Sequence, residues 1–170
     1  MVTLERLRAG HEQALLAFER ENRAYFTRFI SDRGDAYFAG FAAELRARLA
    51  EQDAGVCHFH VVVDDDGGLA GRVNLMDVTD GAAVLGYRIG ERAAGRGVAT
   101  AAVGEVCRLA AGPYGLSALT AVVTLDNPAS RAVLRHNGFT TAGDARIGER
   151  PATRYRRRLT PPGGSLLPSD

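Results

Sequence analysis

Apolar residues recur at three- to four-residue spacing between Glu12 and Ile30, at Leu15, Phe18, Tyr25 and Phe29, with Asn22 on the same side. This predicts one amphipathic helix. After the breaker Asp32-Arg33-Gly34 a second helix sets Phe38, Phe41, Leu45 and Leu49 against Arg46, Arg48 and Glu51. The period then drops to two: from Val56 to Val63, Cys57, Phe59, Val61 and Val63 point one way and His58 and His60 the other, as on a strand. The turn at 64–68 makes a hairpin with a strand from Leu69 to about Val78. Thr79-Asp80-Gly81 leads into a third strand, Ala82 to Ile89, so these three form an antiparallel meander. A helix follows from Val98 to Ala111 with Val98, Ala102, Val106 and Leu109 inward, ended by Gly112-Pro113-Tyr114-Gly115. Ser117 to Leu125 reads as a buried central strand, and Pro128 suits the first turn of a short helix closing at Asn137-Gly138. A closing strand pair is expected at Phe139 to Ala142 and Pro151 to Leu159, then a flexible tail over 161–170. The chain is thus one mixed α/β domain over residues 1–160.

The 170 residues are 46% hydrophobic and 24% charged, which suits a single full-sized core. All 21 basic residues are arginine. Without lysine, the chain has neither a Schiff-base amine nor the lysine of a phosphate-binding P-loop. A net charge of +1 nominates neither nucleic acid nor an acidic membrane as partner. Cys57 and Cys107 lie in apolar runs and are expected to be reduced core residues. The start has no export-signal pattern, and the longest apolar stretch is far short of a membrane span, so a cytoplasmic location is expected. His58 and His60 share a strand face, but no third ligand stands at metal spacing, so a half-exposed polar face is expected and no metal. Arg154, Arg156 and Arg158 alternate along what reads as a solvated edge strand that could attract acidic acceptor peptides.

Chemistry concentrates in two segments. Arg92-Ala93-Ala94-Gly95-Arg96-Gly97-Val98-Ala99-Thr100 joins a strand to a helix. Glycines admit a ligand close to the backbone, the first helix amides point outward at the positive end of the dipole, and Arg92 and Arg96 add multidentate cations; together these suit a pyrophosphate. A nicotinamide-dinucleotide fingerprint would need a small residue at Thr100 and an acid about 20 positions on, and the preceding strands form hairpins instead of parallel units. The second segment starts at Asn127, and its helix sets Ala129, Ala132 and Val133 on one face, read as inward, and Asn127, Ser130, Arg131 and Leu134 on another, with Arg135 a turn beyond Arg131. An amide, a hydroxyl and two guanidiniums suit a long ligand bearing amides and phosphate, although Asn127 alone could be only a helix cap.

Together the two segments resemble the GNAT superfamily of acetyl-coenzyme A dependent N-acetyltransferases. Its arginine, two residues, glycine, one residue, glycine signature appears as Arg92, Gly95 and Gly97, and its later pattern as Asn127, Ser130 and Gly138-Phe139. Glu21-Asn22-Arg23 with Tyr25 and Phe26 looks like the branch that acetylates N-terminal amines of ribosomal proteins, while the arginine-rich last strands depart from the acidic pattern of that branch. The resemblance implies a mostly antiparallel mixed sheet with a V-shaped splay and helices on both faces. It implies acetyl-coenzyme A with pantetheine along Tyr87, Arg88 and Ile89, and phosphates on Arg92, Ala94, Gly95, Arg96, Gly97, Val98, Ala99 and Thr100. Asn127 would then lie near the pantetheine amides and adenosine toward Arg131 or Arg135.

Ser130 is the hydroxyl placed to protonate the departing thiolate, and the amide of Ile89 a candidate oxyanion donor. No residue declares itself the base; water relayed by Glu21, Asn74 or His60 is open. The acceptor side is assigned to Asn22, Tyr25, Phe26 and Asn74. The function expected is acetyl transfer to a primary amine, such as a protein N-terminus, by direct attack in a ternary complex. Acetylation of a small amine or antibiotic, and a silent acyl-coenzyme A sensor, stand as alternatives. A monomer and a homodimer are equally compatible with the sequence.

Overall fold

The computed structural model describes residues 2–161. Strands β1 (Thr3–Arg6), β2 (His58–Val63), β3 (Leu69–Thr79), β4 (Ala82–Ile89), β5 (Ala118–Thr124), β6 (Thr140–Ile147) and β7 (Arg150–Arg158) form one sheet in the order β1-β2-β3-β4-β5-β7-β6. Only β4 and β5 run parallel. The helices are α1 (Glu12–Glu21), α2 (Arg23–Phe26), α3 (Asp35–Ala39), α4 (Phe41–Asp53), α5 (Val98–Ala111) and α6 (Pro128–His136). Period-two alternation makes the sheet two-sided. Cys57, Phe59 and Val61 pack with Leu15, Phe18, Phe41 and Leu45 of α1 and α4. On the other face Val62, Val73, Leu85 and Leu119 pack with Val103 and Val106 of α5 and Leu134 of α6. Burying both faces accounts for the nearly continuous apolar runs of β2 and β5. The mixed architecture and the meander β2-β3-β4 are as the sequence predicts, and both cysteines are buried and unpaired. No helix among the described residues is long and apolar enough to cross a membrane.

The differences have local causes. Strand β1 shows little apolar pattern, because three of its four side chains are exposed and its place comes from main-chain pairing with β2. The first helix stops at Asn22, whose side chain turns back onto Phe18, and the second is divided at Gly40. On α5, Leu109 sits at the shoulder while Val103, Cys107 and Ala110 are buried. Strand β6 runs on to Ile147, and β7 lies between β5 and β6, so the arginine-rich strand is internal and β6 is the edge. On α6 the inward residue is Leu134, with Ser130 one turn before it; of the expected inward face Ala129 and Ala132 are exposed, and Val133 alone packs, half-buried, against the core. From residue 162 the expected flexible tail lies outside the described residues.

His60 corrects the half-exposed reading. It is buried beneath Tyr114 of the turn that follows α5, with Nδ1 3.1 Å from the Val73 carbonyl and Nε2 2.6 Å from the Tyr114 hydroxyl. A carbonyl can only accept, so Nδ1 carries the proton and Nε2 accepts from Tyr114. His58 stacks on the same Tyr114 ring at 3.8 Å, fastening the end of α5 to β2. Burial holds the His60 pKa down at about 4, against 6.5 when exposed. The native state therefore keeps His60 neutral; its contribution is whole above pH 6.5 and is lost as pH falls toward 4. At about 1.4 kcal/mol per pH unit, going from pH 7.5 to 5 should cost about 2 kcal/mol. Guanidinium unfolding at both pH values should show a drop in stability that is smaller by this amount in His60→Gln.

Candidate active site

Strand β4 pairs with β5 only at Ala82, Ala83 and Val84, opposite Ala118, Leu119 and Thr120. Beyond that point the two part: β4 stays on β3 as far as Ile89, and β5 stays on β7 as far as Thr124. The side of Leu85–Ile89 that faces β5 thus has no strand partner. The Gly90 amide donates to Ala70 of the β3 side at 2.8 Å. Alternation along the strand turns the amides of Tyr87 and Ile89 the opposite way, into the opening.

The opening leads to the glycine loop. After a single turn at Glu91–Ala93, Gly95 and Gly97 both take φ +74°, a conformation that side chains resist, and nothing lies within 4 Å of where a Cβ would stand on either. Gly97 is the left-handed N-cap of the fourteen-residue helix α5 and offers no side-chain cap. The first intrahelical bond runs from Ala101 to the Gly97 carbonyl, so the amides of Val98, Ala99 and Thr100 point outward unsatisfied. This is a donor cluster at the positive end of a dipole, opening on unfilled space.

The loop is anchored from behind. Asn22, buried, donates from Nδ2 to Phe18 at 2.9 Å and accepts from the Glu91 amide on Oδ1 at 2.9 Å. Its side chain is thus engaged in fixing the loop to the end of α1. Arg92 pairs with Glu21 at 2.7 Å and Arg96 with Asp64 at 3.0 Å, so each loop arginine is held by a carboxylate of the neighbouring wall. These residues border a cavity of ≈ 260 Å³ between α1 and the β2-β3 turn. Asn137, which carried no chemical signal in the sequence, donates from Nδ2 to the Thr100 carbonyl at 3.1 Å and to Val133 at 3.0 Å, locking α6 against the first turn of α5.

On the far side of the opening, Asn127 caps α6 by accepting from the Ser130 amide at 3.2 Å. Its Nδ2 has no protein partner among the described residues. Ser130 Oγ lies 2.6 Å from the Tyr87 hydroxyl, which also reaches the Ser130 carbonyl at 3.2 Å. The pair bridges β4 and α6 across the mouth of the splay, and burial pushes the Tyr87 phenol pKa up, keeping it protonated. The sequence marks Tyr87 for its main chain; its hydroxyl acquires a role only when α6 is packed opposite. Arg131 donates to the Tyr155 hydroxyl at 3.3 Å, and Arg135 is exposed on the next turn.

On the opposite face of β4, Arg88 lies over the Phe26 ring at 4.9 Å, and Tyr25 packs edge-on with Phe29 at 5.3 Å. Glu19 lies beneath Arg72 and Arg88, a buried acid among apolar residues. Its place one turn after Leu15 and three before Asn22 on the inward helical face was the available signal. Asn74 Oδ1, on the same face as Arg72, is buried without a partner among the described residues. Of the three water-relay candidates, His60 points to the other face with both ring nitrogens engaged, Glu21 is tied to Arg92, and Asn74 lies on the α1–α4 face with its Oδ1 buried.

The comparisons agree with this geometry. No curated protein matches the chain. Among solved structures, the ribosomal-protein-S5-alanine acetyltransferase from Vibrio fischeri superposes with a TM-score of 0.86 at 18% identity, covering 92% of each chain. RimJ from Mycobacterium smegmatis, in complex with CoA-disulfide, gives 0.83 at 22% identity over 92% of this chain and 81% of that one. Spermidine N-acetyltransferase from Vibrio cholerae, in complex with CoA and spermine, gives 0.77 at 17% identity over 93% and 95%. At these identities the structures establish the fold. The family described as acetyltransferase (GNAT) domain matches residues 2–140, so this chain, with its splayed strands and uncapped glycine loop, belongs to the GNAT acetyltransferase family.

Proposed function

We propose that the protein transfers the acetyl group of acetyl-coenzyme A to a primary amine, in the manner of the N-terminal acetyltransferases its fold resembles. The observation that carries this reading is the splay of β4 from β5, continued by the uncapped amides of Val98, Ala99 and Thr100. The residues fit the carrier. The α5 amides and the open space over Gly95 and Gly97 suit its diphosphate, the Tyr87–Ile89 edge and Asn127 suit the amides of pantetheine, and the guanidiniums of Arg131 and Arg135 suit the adenosine end. Arg92 and Arg96 reach the phosphates by exchanging their carboxylate partners for them.

Bound there, acetyl-coenzyme A supplies an activated thioester. The outward amide of Ile89 stabilises the charge that develops on the acetyl oxygen. As the amine nitrogen forms its bond to the acetyl carbon, the carbon–sulfur bond breaks, the sulfur takes one proton and the amine gives one up. Ser130 donates to sulfur and regains a proton through Tyr87, 2.6 Å behind it, which recovers its own from solvent, so both hydroxyls end the cycle protonated. The amine proton leaves to solvent. Among the described residues no strong base faces this cleft, which suits an α-amine: with a pKa of about 7.7 it is roughly one third neutral near pH 7.4, against about 0.1% for an alkyl amine near 10.4.

A thiol-release assay over peptides with free N-termini, amino acids and polyamines tests the activity; carrier binding with no release would identify a silent sensor instead. In calorimetry, Gly97→Val should weaken coenzyme A binding at least about tenfold, since it strains a left-handed position and fills the phosphate space; unchanged affinity would contradict the loop assignment. Ser130→Ala should lower kcat by about 10²-fold with coenzyme A affinity little changed, and Tyr87→Phe by about tenfold, both read by thiol release under saturating carrier. Full turnover in Ser130→Ala would remove its acid role.

A further inference from the structure

The sheet face that carries α1–α4 holds more positive charge than its carboxylates neutralise. Glu19 is 2% exposed and receives two guanidiniums, Arg72 Nη1 at 3.0 Å and Arg88 Nη1 at 3.2 Å. One arginine suffices to neutralise it. Arg72, which also donates to the Tyr37 hydroxyl at 3.3 Å, does so while tying α1 to β3. Arg88 is therefore surplus, a second cation on one carboxylate, with its side chain only 17% exposed. Its remaining donors have no protein partner among the described residues. Desolvation opposes its charge most, Glu19 supports it, and Arg33 and Arg72 oppose it, so with Glu19 shared between two guanidiniums a further anion would be favourable beside it. A cavity of ≈ 10 Å³ opens beside it between Phe26, Phe38 and Arg33, with room for one oxygen-sized group. The neighbouring Arg23 is already matched by Asp32 and Asp35.

A second observation extends this charge along the cleft. Strand register sets Arg158 opposite Ala118, Arg156 opposite Thr120 and Arg154 opposite Val122, while Leu119, Ala121 and Val123 face the α5–α6 core. The three arginines consequently share the face of Arg72 and Arg88. All three are exposed, and none makes an ion pair among the described residues. Arg154 stands where β5 has already parted from β4, and Arg158 where the two are still paired. The row thus begins at the opening and runs away from it, with a step of about 7 Å between side chains, the repeat of alternate residues in an extended peptide.

We propose that the acceptor is the N-terminus of an acidic polypeptide segment, its amine at the splay beside Arg88 and its alternate carboxylates along Arg154, Arg156 and Arg158. This rests on the acetyltransferase reading and selects among its acceptors: a polyamine would be repelled by the same groups. Thiol release from peptides of about eight residues, with a free N-terminal serine followed by alternating acids, tests it against matched neutral and lysine-bearing peptides and spermidine. The acidic peptide should lead the neutral one by at least about tenfold in kcat/KM at low ionic strength, and by much less in about 0.5 M salt. The triple variant R154Q/R156Q/R158Q, altered only at exposed positions, should lose most of that lead with coenzyme A affinity unchanged. Arg88→Gln should reduce the lead severalfold. Equal rates on acidic and neutral peptides, preference for spermidine, or a triple variant that keeps the lead would overturn the inference. So would inhibition by a single-stranded oligonucleotide at lower concentration than the acidic peptide, which would assign the row to nucleic acid. Coenzyme A binding without release from any amine would overturn the acetyltransferase reading itself, a result distinct from equal release by all.

Discussion

A strand that leaves its neighbour abandons hydrogen bonds, and the protein abandons those between β4 and β5 where it needs free donors. Three residue pairs hold the two strands together at one end, while β3 and β7 keep each in the sheet beyond the parting point. Because each strand retains one complete ladder, the cost is limited to one edge of Leu85–Ile89 and one edge of Ala121–Thr124. Those edges would be a liability if buried dry; lining a cleft, they can bind water or a polar ligand. Everything chemical in the fold is arranged around them: the uncapped start of α5 at the end of β4, the capped start of α6 at the end of β5, and the Tyr87–Ser130 pair across the gap.

Rigid anchoring is what turns this opening into a site. The glycine loop is permissive by composition, yet Asn22 grips its first amide from α1 and Asn137 grips the first turn of α5 from α6. Both asparagines are helix-terminal residues whose side chains carry bonds between elements. The outward amides are consequently held in place before any ligand arrives, which lowers the ordering cost of binding. The carboxylates on Arg92 and Arg96 act similarly, holding flexible cations near the loop until a stronger anion competes for them.

The two faces of the sheet divide the labour. Tyr87 points to the α5–α6 layer and meets Ser130, while the next residue, Arg88, points to the α1–α4 layer and meets Glu19. A hydroxyl pair and a buried ion pair are thereby separated by one step along a single strand. The α1–α4 side is cationic and partly apolar, through Arg72, Arg88 and Phe26.

Local patterns were enough to read the meander, the order of elements, the glycine loop as a helix start and the capping segment at Asn127, because each depends on neighbours within a turn or a strand pair. Family resemblance added the splay. What chain neighbours could not reveal was which distant group each side chain meets. His60 alternates like a solvent-facing residue and is buried because Tyr114, in the turn after α5, lies over β2; β7 resembles an edge until β6 pairs outside it. Ser130 and Leu134 were grouped correctly on one face of α6, but only packing decided that this face looks inward. The sequence alone determined where backbone donors are exposed and how polar and apolar residues alternate. The tertiary structure decided the partners, because a hydroxyl on Tyr87 or a carboxylate on Glu19 gains its role from residues 43 and 53 or more positions away, brought within 3.2 Å by the packing of helices on both faces of the sheet.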